Sequence, residues 1–260
     1  MSEKQQKLWA ELNKALKPKR VFKKPTYFVE QPYYNLDKSE SIIIKIPHDT
    51  DYTIPPREVK RLGIWCSGGA DSTALLYLLA KTIQDHDLDL HIQPMTVRRQ
   101  RPWNPIKAAP VIEKVCEILN FDRMLPHQIY YPPLEDPNQT EWQEFMDRDR
   151  KNCKNGVWHV LYDGLTSNPP EDEMPYENKE EHRRGESVEK ILEASARDHM
   201  RPLYQINKRF IADIYRQFDL TETLFPITWS CEGEANQTND FTVPCDKCWW
   251  CWERGWAFNG

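Results

Sequence analysis

The sequence lacks the features of membrane proteins, secreted proteins and general nucleic-acid binders. No apolar run reaches the roughly 20 residues that a membrane-spanning helix requires. The first twenty residues are charged and amphipathic, without the apolar core of a secretory signal. With a net charge of −5 and a pI near 5.9, the 260-residue chain offers no excess of positive charge for phosphate neutralisation. We therefore expect a globular cytoplasmic protein with no membrane partner and no nucleic-acid partner.

The chain has seven cysteines, and this odd number argues against a disulfide framework. Of the seven cysteines, Cys66, Cys116 and Cys153 are scattered, whereas the other four lie within residues 231–251. A cluster of this kind in a compartment that keeps thiols reduced indicates a metal site.

Internal repeats are also missing, so a solenoid or repeat array is not expected.

Strand-like and helical segments alternate from residue 59 onward. Strands are expected in the segments VKRLGIWC, LDLHIQPMTV, HQIYY and GVWHVLYDG. Helices are expected over Asp71–Gln84, Ala108–Leu119, Thr140–Asn152 and Asn207–Phe218, with Pro110 tolerated only in a first turn. This alternation predicts an α/β fold of parallel βαβ units with right-handed crossovers.

Changes in composition divide the chain into three predicted parts. Residues 1–58 form an N-terminal extension with a short helix at 3–16 and a strand in SIIIKIP. Residues 59–220 form the α/β domain, interrupted at 166–200 by an insertion rich in proline and charge. That insertion is either an active-site lid or a solvated loop. Residues 221–260 form a C-terminal segment around four cysteines.

The stretch CSGGADS, Cys66–Ser72, joins a predicted strand to a predicted helix. The unpaired N–H groups and the dipole at such a helix start favour an anion. Gly68 and Gly69 let the backbone approach a ligand closely, and the two serines add hydroxyl groups. Asp71 suits a helix cap or, beside a phosphate, a Mg²⁺ ligand. The spacing matches neither a Walker loop nor a dinucleotide fingerprint, and ordinary strand–helix packing is the alternative.

The C-terminal cysteines have the spacing C-x13-C-x2-C-x2-C, which supplies four thiolates from Cys231, Cys245, Cys248 and Cys251. Short thiolate spacings favour tetrahedral zinc, and a shell filled by four protein ligands makes that zinc structural. An iron–sulfur cluster and plain buried cysteines are the alternatives. The tryptophans between them either stack on a purine-like ring or pack over the metal site.

The hexapeptide SGGADS resembles the SGGxDS signature of the PP-loop ATP pyrophosphatases, with Ala70 at the free position. The resemblance implies a doubly wound parallel sheet and a turn that holds the pyrophosphate end of ATP. It also implies cleavage of ATP to AMP and pyrophosphate while a substrate oxygen is adenylated. Ligands bind at the carboxyl ends of the strands in such sheets. The implied nucleotide-binding residues are Cys66, Ser67, Gly68, Gly69, Ala70, Asp71, Ser72, Thr96, Val97 and Gly164.

The chain further resembles one PP-loop subfamily, the 7-cyano-7-deazaguanine synthases of queuosine and deazaguanine biosynthesis. The segments that carry the resemblance are RPLYQINKRFIADIYRQFDL, ITWSCEGE and CDKCWWCWERGWAF, and the similarity covers about 61–164 and 200–258. It implies an ATP-dependent ligase that converts 7-carboxy-7-deazaguanine and ammonia to the nitrile. Asp71 and Lys208 are the implied catalytic residues, and ATP, Mg²⁺ and Zn²⁺ are the implied cofactors.

Three features depart from that subfamily. The second strand ends in TVRRQRPWN instead of a Tyr-Gly-Gln-Arg-His-like turn, the first cysteine gap is longer, and residues 1–60 and 166–200 are extra. These departures suit a viral or defence-associated relative with a changed acceptor.

Three alternatives to the nitrile-forming ligase stay open. They are an enzyme that stops at the amide, one that modifies a tRNA, DNA-precursor or protein acceptor, and a zinc-ribbon interaction module. A homodimer is one open oligomeric state.

Overall fold

A computed structural model of the chain describes residues 27–50, 57–97, 103–130, 151–152, 155–175 and 199–259. The described strands are β1 (Tyr27–Tyr34), β2 (Ser41–Pro47), β3 (Asp49–Thr50), β4 (Arg57–Glu58), β5 (Arg61–Trp65), β6 (His91–Val97), β7 (Gln128–Tyr130), β8 (Val160–Tyr162) and β9 (His199–Met200). The described helices are α1 (Ala70–Asp85), α2 (Trp103–Leu119), α3 (Lys208–Gln217) and α4 (Trp249–Phe258). The helix predicted over 3–16, most of that predicted over Thr140–Asn152, and residues 176–198 of the insertion lie outside the described residues.

A parallel five-stranded sheet forms the centre of the described structure. Its strands lie in the order β7-β6-β5-β8-β9. Because β5 is the first of these strands in sequence, the spatial order is 3-2-1-4-5 and the chain changes direction beside β5. Leu62 of β5 is fully buried and lies opposite Ile92 of β6 and Val160 of β8. The predicted α/β class, a doubly wound parallel sheet, is confirmed.

Helix α1 follows the central strand and lies almost entirely in the core. The side chains predicted to form its apolar face, Leu75, Leu76, Leu79 and Ile83, have no exposed surface. The helix exceeds the predicted range Asp71–Gln84 by one residue at each end. This burial fixes the start of α1 against the end of β5, which is where the glycine turn lies.

Helix α2 corrects one prediction. It begins at Trp103 rather than Ala108, so Pro110 lies in its interior and not in its first turn. Pro105 explains the early start, because a proline in the first turn gives up an N–H that would be unpaired there. Pro110 cannot donate to the carbonyl of Ile106, but both residues are exposed, so water can take the place of that hydrogen bond.

A hairpin of β1 and β2 packs on α1. One face of β2 buries Ile42, Ile44 and Ile46 in the main core. The hydroxyl of Tyr33 in β1 forms a 2.8 Å hydrogen bond with Thr82 Oγ1 of α1. Strand β2 has the bounds predicted from SIIIKIP, whereas β1 was not predicted, since its sequence YFVEQPYY contains a proline and no strict alternation. The boundaries between the three predicted domains stay predictions.

Helices α3 and α4 bring the C-terminal segment against the α/β domain. Asn207 caps α3 by accepting a 2.9 Å hydrogen bond from the N–H of Arg209, which confirms the helix predicted over 207–218. Phe258 of α4 stacks on Phe225 with centroids 3.8 Å apart and meets Tyr215 of α3 edge-on. Among the described residues, every helix is too short or too polar to span a bilayer.

Candidate functional site

The turn between β5 and α1 has a shape that only glycine permits at its centre. Gly68 has a φ of +82°, and a Cβ placed there would lie 2.7 Å from the carbonyl carbon of Lys107. Gly69 is the N-cap of α1, and no described side chain caps the helix. The expectation that Asp71 caps it is therefore wrong, because Asp71 lies inside the first turn. The first-turn N–H groups and the helix dipole are thus left for an anion.

The two serines of the turn hold each other. Ser72 Oγ accepts a 3.2 Å hydrogen bond from the N–H of Ser67, and the two hydroxyl oxygens are also 3.2 Å apart. Ser67 Oγ in turn accepts from the N–H of Gly69 at 3.3 Å. These hydrogen bonds connect the two ends of the turn. The hydroxyl groups that were predicted to face a ligand therefore stabilise the shape of the loop.

Asp71 and Lys208, the two predicted catalytic residues, are in direct contact. Lys208 Nζ lies 3.1 Å from Asp71 Oδ2 and 2.8 Å from Glu253 Oε2. The side chain of Lys208 is 2% exposed and that of Glu253 is fully buried, so this ion-pair cluster is shielded from water. Glu253 was missed by the sequence analysis, since a single acid between tryptophans carries no pattern. The catalytic roles themselves stay predictions.

Cys66 and Thr96 lie at the carboxyl ends of β5 and β6 with their side chains in the core. The Thr96 hydroxyl donates to the carbonyl of Cys66, and the N–H of Cys66 donates to Met95 O at 2.8 Å. Burial raises the pKa of the Cys66 thiol to about 11. The buried side chains of these two residues leave only their backbone available to a ligand, while the side chain of Val97 at the end of β6 is partly exposed.

Gly164 brings the end of β8 against the same turn. A Cβ on Gly164 would lie 2.9 Å from Cα and N of Ser72 and 3.1 Å from the carbonyl carbon of Asp71. Gly164 therefore lies against the glycine turn, and its contact with a nucleotide stays a prediction. The space that a side chain would fill at Gly164 is occupied by the first turn of α1, so its glycine identity reflects helix–strand packing.

A second carboxylate at the carboxyl edge of the sheet was also missed. Asp163 Oδ2 lies 2.6 Å from His199 Nε2 and 2.8 Å from Arg201 Nε, and it follows β8 directly. Burial works against its ionisation, but His199 and Arg201 outweigh it and hold the pKa of Asp163 below its usual value. The ends of β8 and β9 are far apart in the sequence, so no local sequence pattern predicts the cluster of Asp163, His199 and Arg201.

The four C-terminal cysteines converge as their spacing predicted. The sulfur atoms of Cys231, Cys245, Cys248 and Cys251 all lie within 4.8 Å of one another. Burial opposes ionisation of Cys245, but N–H donors from Lys247 and Cys248 lower the pKa of its thiol to about 7. The set of four sulfur donors fits a metal, and both zinc and an iron–sulfur cluster accept such a set.

The cysteine segment is hydrogen-bonded to the glycine turn. The backbone N–H of Trp229 donates to Gly68 O at 2.7 Å, and its indole N–H donates to Cys231 O at 2.9 Å. On α4, Trp249 is buried, and Trp256 donates its indole N–H to Glu173 at 2.8 Å. These contacts favour a packing role for the α4 tryptophans over stacking on a ligand ring.

No protein-family model and no curated protein sequence matches this chain. Among solved structures, the chain is similar to the U34-tRNA thiolase NcsA of Methanococcus maripaludis with its [4Fe-4S] cluster, at 16% identity and a TM-score of 0.38. That alignment covers 62% of this chain and 57% of the thiolase, so this chain spans little more than half of the thiolase. It is also similar to the NAD+ synthetase of Burkholderia pseudomallei, at 12% identity and a TM-score of 0.35, over 77% and 74% of the two chains. At these TM-scores, neither similarity adds to what the sheet order already establishes.

Proposed function

We propose that this protein is a PP-loop enzyme that binds ATP on the Ser67–Ser72 turn and transfers AMP to an acceptor oxygen, releasing pyrophosphate. One observation carries the proposal: the glycine turn follows the central strand where the strand order reverses, and it opens a helix with no side-chain cap. Ligands of doubly wound sheets bind at this point, and the helix dipole favours a triphosphate there.

The charged residues beside the turn suit the departure of pyrophosphate. Asp71 retains 19% exposure in the first turn of α1, and it is the carboxylate that would hold Mg²⁺ near the phosphates. Bound Mg²⁺ supplies charge neutralisation for the leaving group. Lys208 contacts Asp71 and fixes the orientation of its carboxylate. No nucleophilic side chain is required, which agrees with the buried, protonated thiol of Cys66.

We infer that the acceptor is the carboxylate of 7-carboxy-7-deazaguanine and that ammonia is the nitrogen donor. The carboxylate attacks the α-phosphorus of ATP, pyrophosphate leaves, and ammonia then displaces AMP to give the amide. A second ATP adenylates the amide oxygen, and loss of AMP leaves the nitrile. The resemblance of the segment ITWSCEGE to the deazaguanine synthases supports this acceptor, and Trp229 of that segment contacts Gly68 beside the proposed ATP site.

The cysteine set would hold zinc as a structural ion. Cys231 precedes the segment that runs to Cys245, and Cys248 and Cys251 lie at the start of α4. Four protein thiolates leave no open position for water, so the ion supplies a cross-link and no water activation.

The deciding experiment incubates the purified protein with ATP, Mg²⁺, ammonia and 7-carboxy-7-deazaguanine. We expect AMP and pyrophosphate, and a product mass that corresponds to the nitrile. Release of ADP would overturn the PP-loop mechanism. If the reaction stops at the amide, the adenylation step is retained and the amide, not the nitrile, is the end product. If the protein binds ATP but shows no turnover, this acceptor is excluded.

A further inference from the structure

The ion-pair cluster next to the glycine turn does not supply a spare cation. Lys208 lies between Asp71 and Glu253, so its one ammonium is shared by two carboxylates. A triphosphate brings several more negative charges to the same place. Because like charges repel strongly in a partly buried site, a cation beside the turn that is not held by a carboxylate would favour binding of the triphosphate.

Lys107 of α2 contacts the turn through its backbone. Its backbone carbonyl carbon would lie 2.7 Å from a Cβ on Gly68, so the two backbones are in direct contact. Its ammonium lies 4.0 Å from the ring centroid of Trp229, the residue whose N–H donates to Gly68 O. Lys107 and Trp229 therefore enclose Gly68 between them.

The ammonium of Lys107 has no carboxylate within 4.0 Å among the described residues, unlike Lys114 on the same helix, which pairs with Glu117 at 2.8 Å. Lys107 is partly buried, and this burial lowers the pKa of its ammonium. An aromatic face compensates a lysine only in part, and an anionic ligand would complete its coordination.

A buried hydroxyl lies on the same side. Ser230 Oγ has no hydrogen-bond partner among the residues that the structure describes, and it would lie 3.8 Å from a Cβ on Gly69. A buried hydroxyl without a partner is costly, so one that lies beside the turn indicates a ligand atom. Ser230 and Lys107 thus meet the glycine turn from two separate elements.

We propose that Lys107 and Ser230 complete the phosphate site, the ammonium of Lys107 binding the β- and γ-phosphate oxygens of ATP and the Ser230 hydroxyl donating to the same group. This inference rests on the proposed ATP site and extends it with two residues outside the signature. Since both groups contact the departing pyrophosphate, they hold negative charge that grows as the bond to the α-phosphorus breaks.

Titration calorimetry on variants tests the assignment with ATP, pyrophosphate and AMP as separate ligands. We expect Lys107→Met to weaken ATP and pyrophosphate binding by about tenfold or more and AMP binding by less than about twofold, because AMP lacks the outer phosphates. Lys107→Arg should recover part of the affinity, and Ser230→Ala should give a smaller loss in the same two ligands. Lys114→Met is the matched control on the same helix and should match the wild type.

A second measurement uses only the wild-type protein, so it does not depend on the fold of any variant. Acetylation of lysines, followed by peptide mass spectrometry, should show Lys107 protected by pyrophosphate and Lys114 unprotected. Wild-type protein that does not bind ATP would overturn the proposed function itself. Wild-type protein that binds ATP, with Lys107→Met equal to Lys114→Met or with Lys107 unprotected, would overturn this inference alone.

Discussion

Lys208 and Glu253 form an ion pair of 2.8 Å in which both side chains are almost completely shielded from water. Glu253 lies on α4, two residues after Cys251, whereas Lys208 begins α3 and also contacts Asp71. The helix that carries the last two cysteines is therefore linked through one lysine to the first turn of α1. The glycine turn and the cysteine centre form one connected unit.

Removing the buried carboxylate should destabilise that unit. Glu253→Gln leaves Lys208 with Asp71 as its one ion-pair partner among the described residues, and we expect the free energy of unfolding to fall by about 2–4 kcal/mol. Urea unfolding measures the change. The matched control is Glu117→Gln, which breaks an exposed pair and should alter stability by less than about 0.5 kcal/mol. Equal stability of the two variants would contradict the importance of the Lys208–Glu253 contact.

The positive φ of Gly68 predicts strong sensitivity to a methyl group. Gly68→Ala combines left-handed strain with contact against the backbone of Lys107, so we expect a loss of at least about 2 kcal/mol and weaker ATP binding. Gly255→Ala is the control, since its Cβ would meet nothing closer than 3.7 Å inside α4. That variant should gain about 0.5–1 kcal/mol. Thermal melts of both proteins decide the point, and a neutral Gly68→Ala would refute the strained turn.

Metal analysis tests the cysteine centre. Purified protein should contain zinc, and Cys245→Ser should lose it, because four sulfur atoms within 4.8 Å lose one ligand. The loss should cost roughly 2 kcal/mol and lower the Tm by about 5 °C. Cys116→Ser, which changes a cysteine of α2 outside the cluster, should keep its metal. If mass spectrometry finds iron and sulfide instead of zinc, the cysteines hold an iron–sulfur cluster.

Cys66 should be dispensable for chemistry. With its pKa raised to about 11 by burial, the thiol stays protonated at neutral pH and is a poor nucleophile. We expect Cys66→Ser to form AMP within about threefold of the wild-type rate, allowing for a small packing change. A rate reduced more than tenfold, with ATP affinity and Tm unchanged, would instead point to thiol transfer.

Asp163 should contribute a pH-dependent part of stability. Because its pKa is lowered in the folded state, its contribution is full above the unfolded value near 4 and is lost as the pH falls through the lower pKa of the folded state. Asp163→Asn should therefore lose about 1–3 kcal/mol at pH 7 and less at pH 3. Urea unfolding at both pH values measures the difference. Asp122→Asn, at a side chain 93% exposed, should show no such dependence.

The parts that could be predicted from sequence are those with a strong local signal. The apolar periodicity correctly predicted helix α1, and the regular spacing correctly predicted that Cys245, Cys248 and Cys251 converge. Both features depend on residues that are close together in the sequence. Lys107 and Glu253 could not be found in this way. Their importance arises from contacts with residues more than thirty positions away, and a charged residue in a helix that carries other charged residues looks like an ordinary surface residue. The early start of α2 was missed because Pro110 was assumed to lie in the first turn of the helix.

The hydrogen bond from Trp229 to Gly68 also bears on how the protein is made. Residues 66–72 leave the ribosome long before residues 229–253, which hold the glycine turn from two sides. A nascent chain halted between them would display the phosphate-binding signature without the contacts that fix it. The order of synthesis therefore places the completion of this turn after the C-terminal segment has been translated.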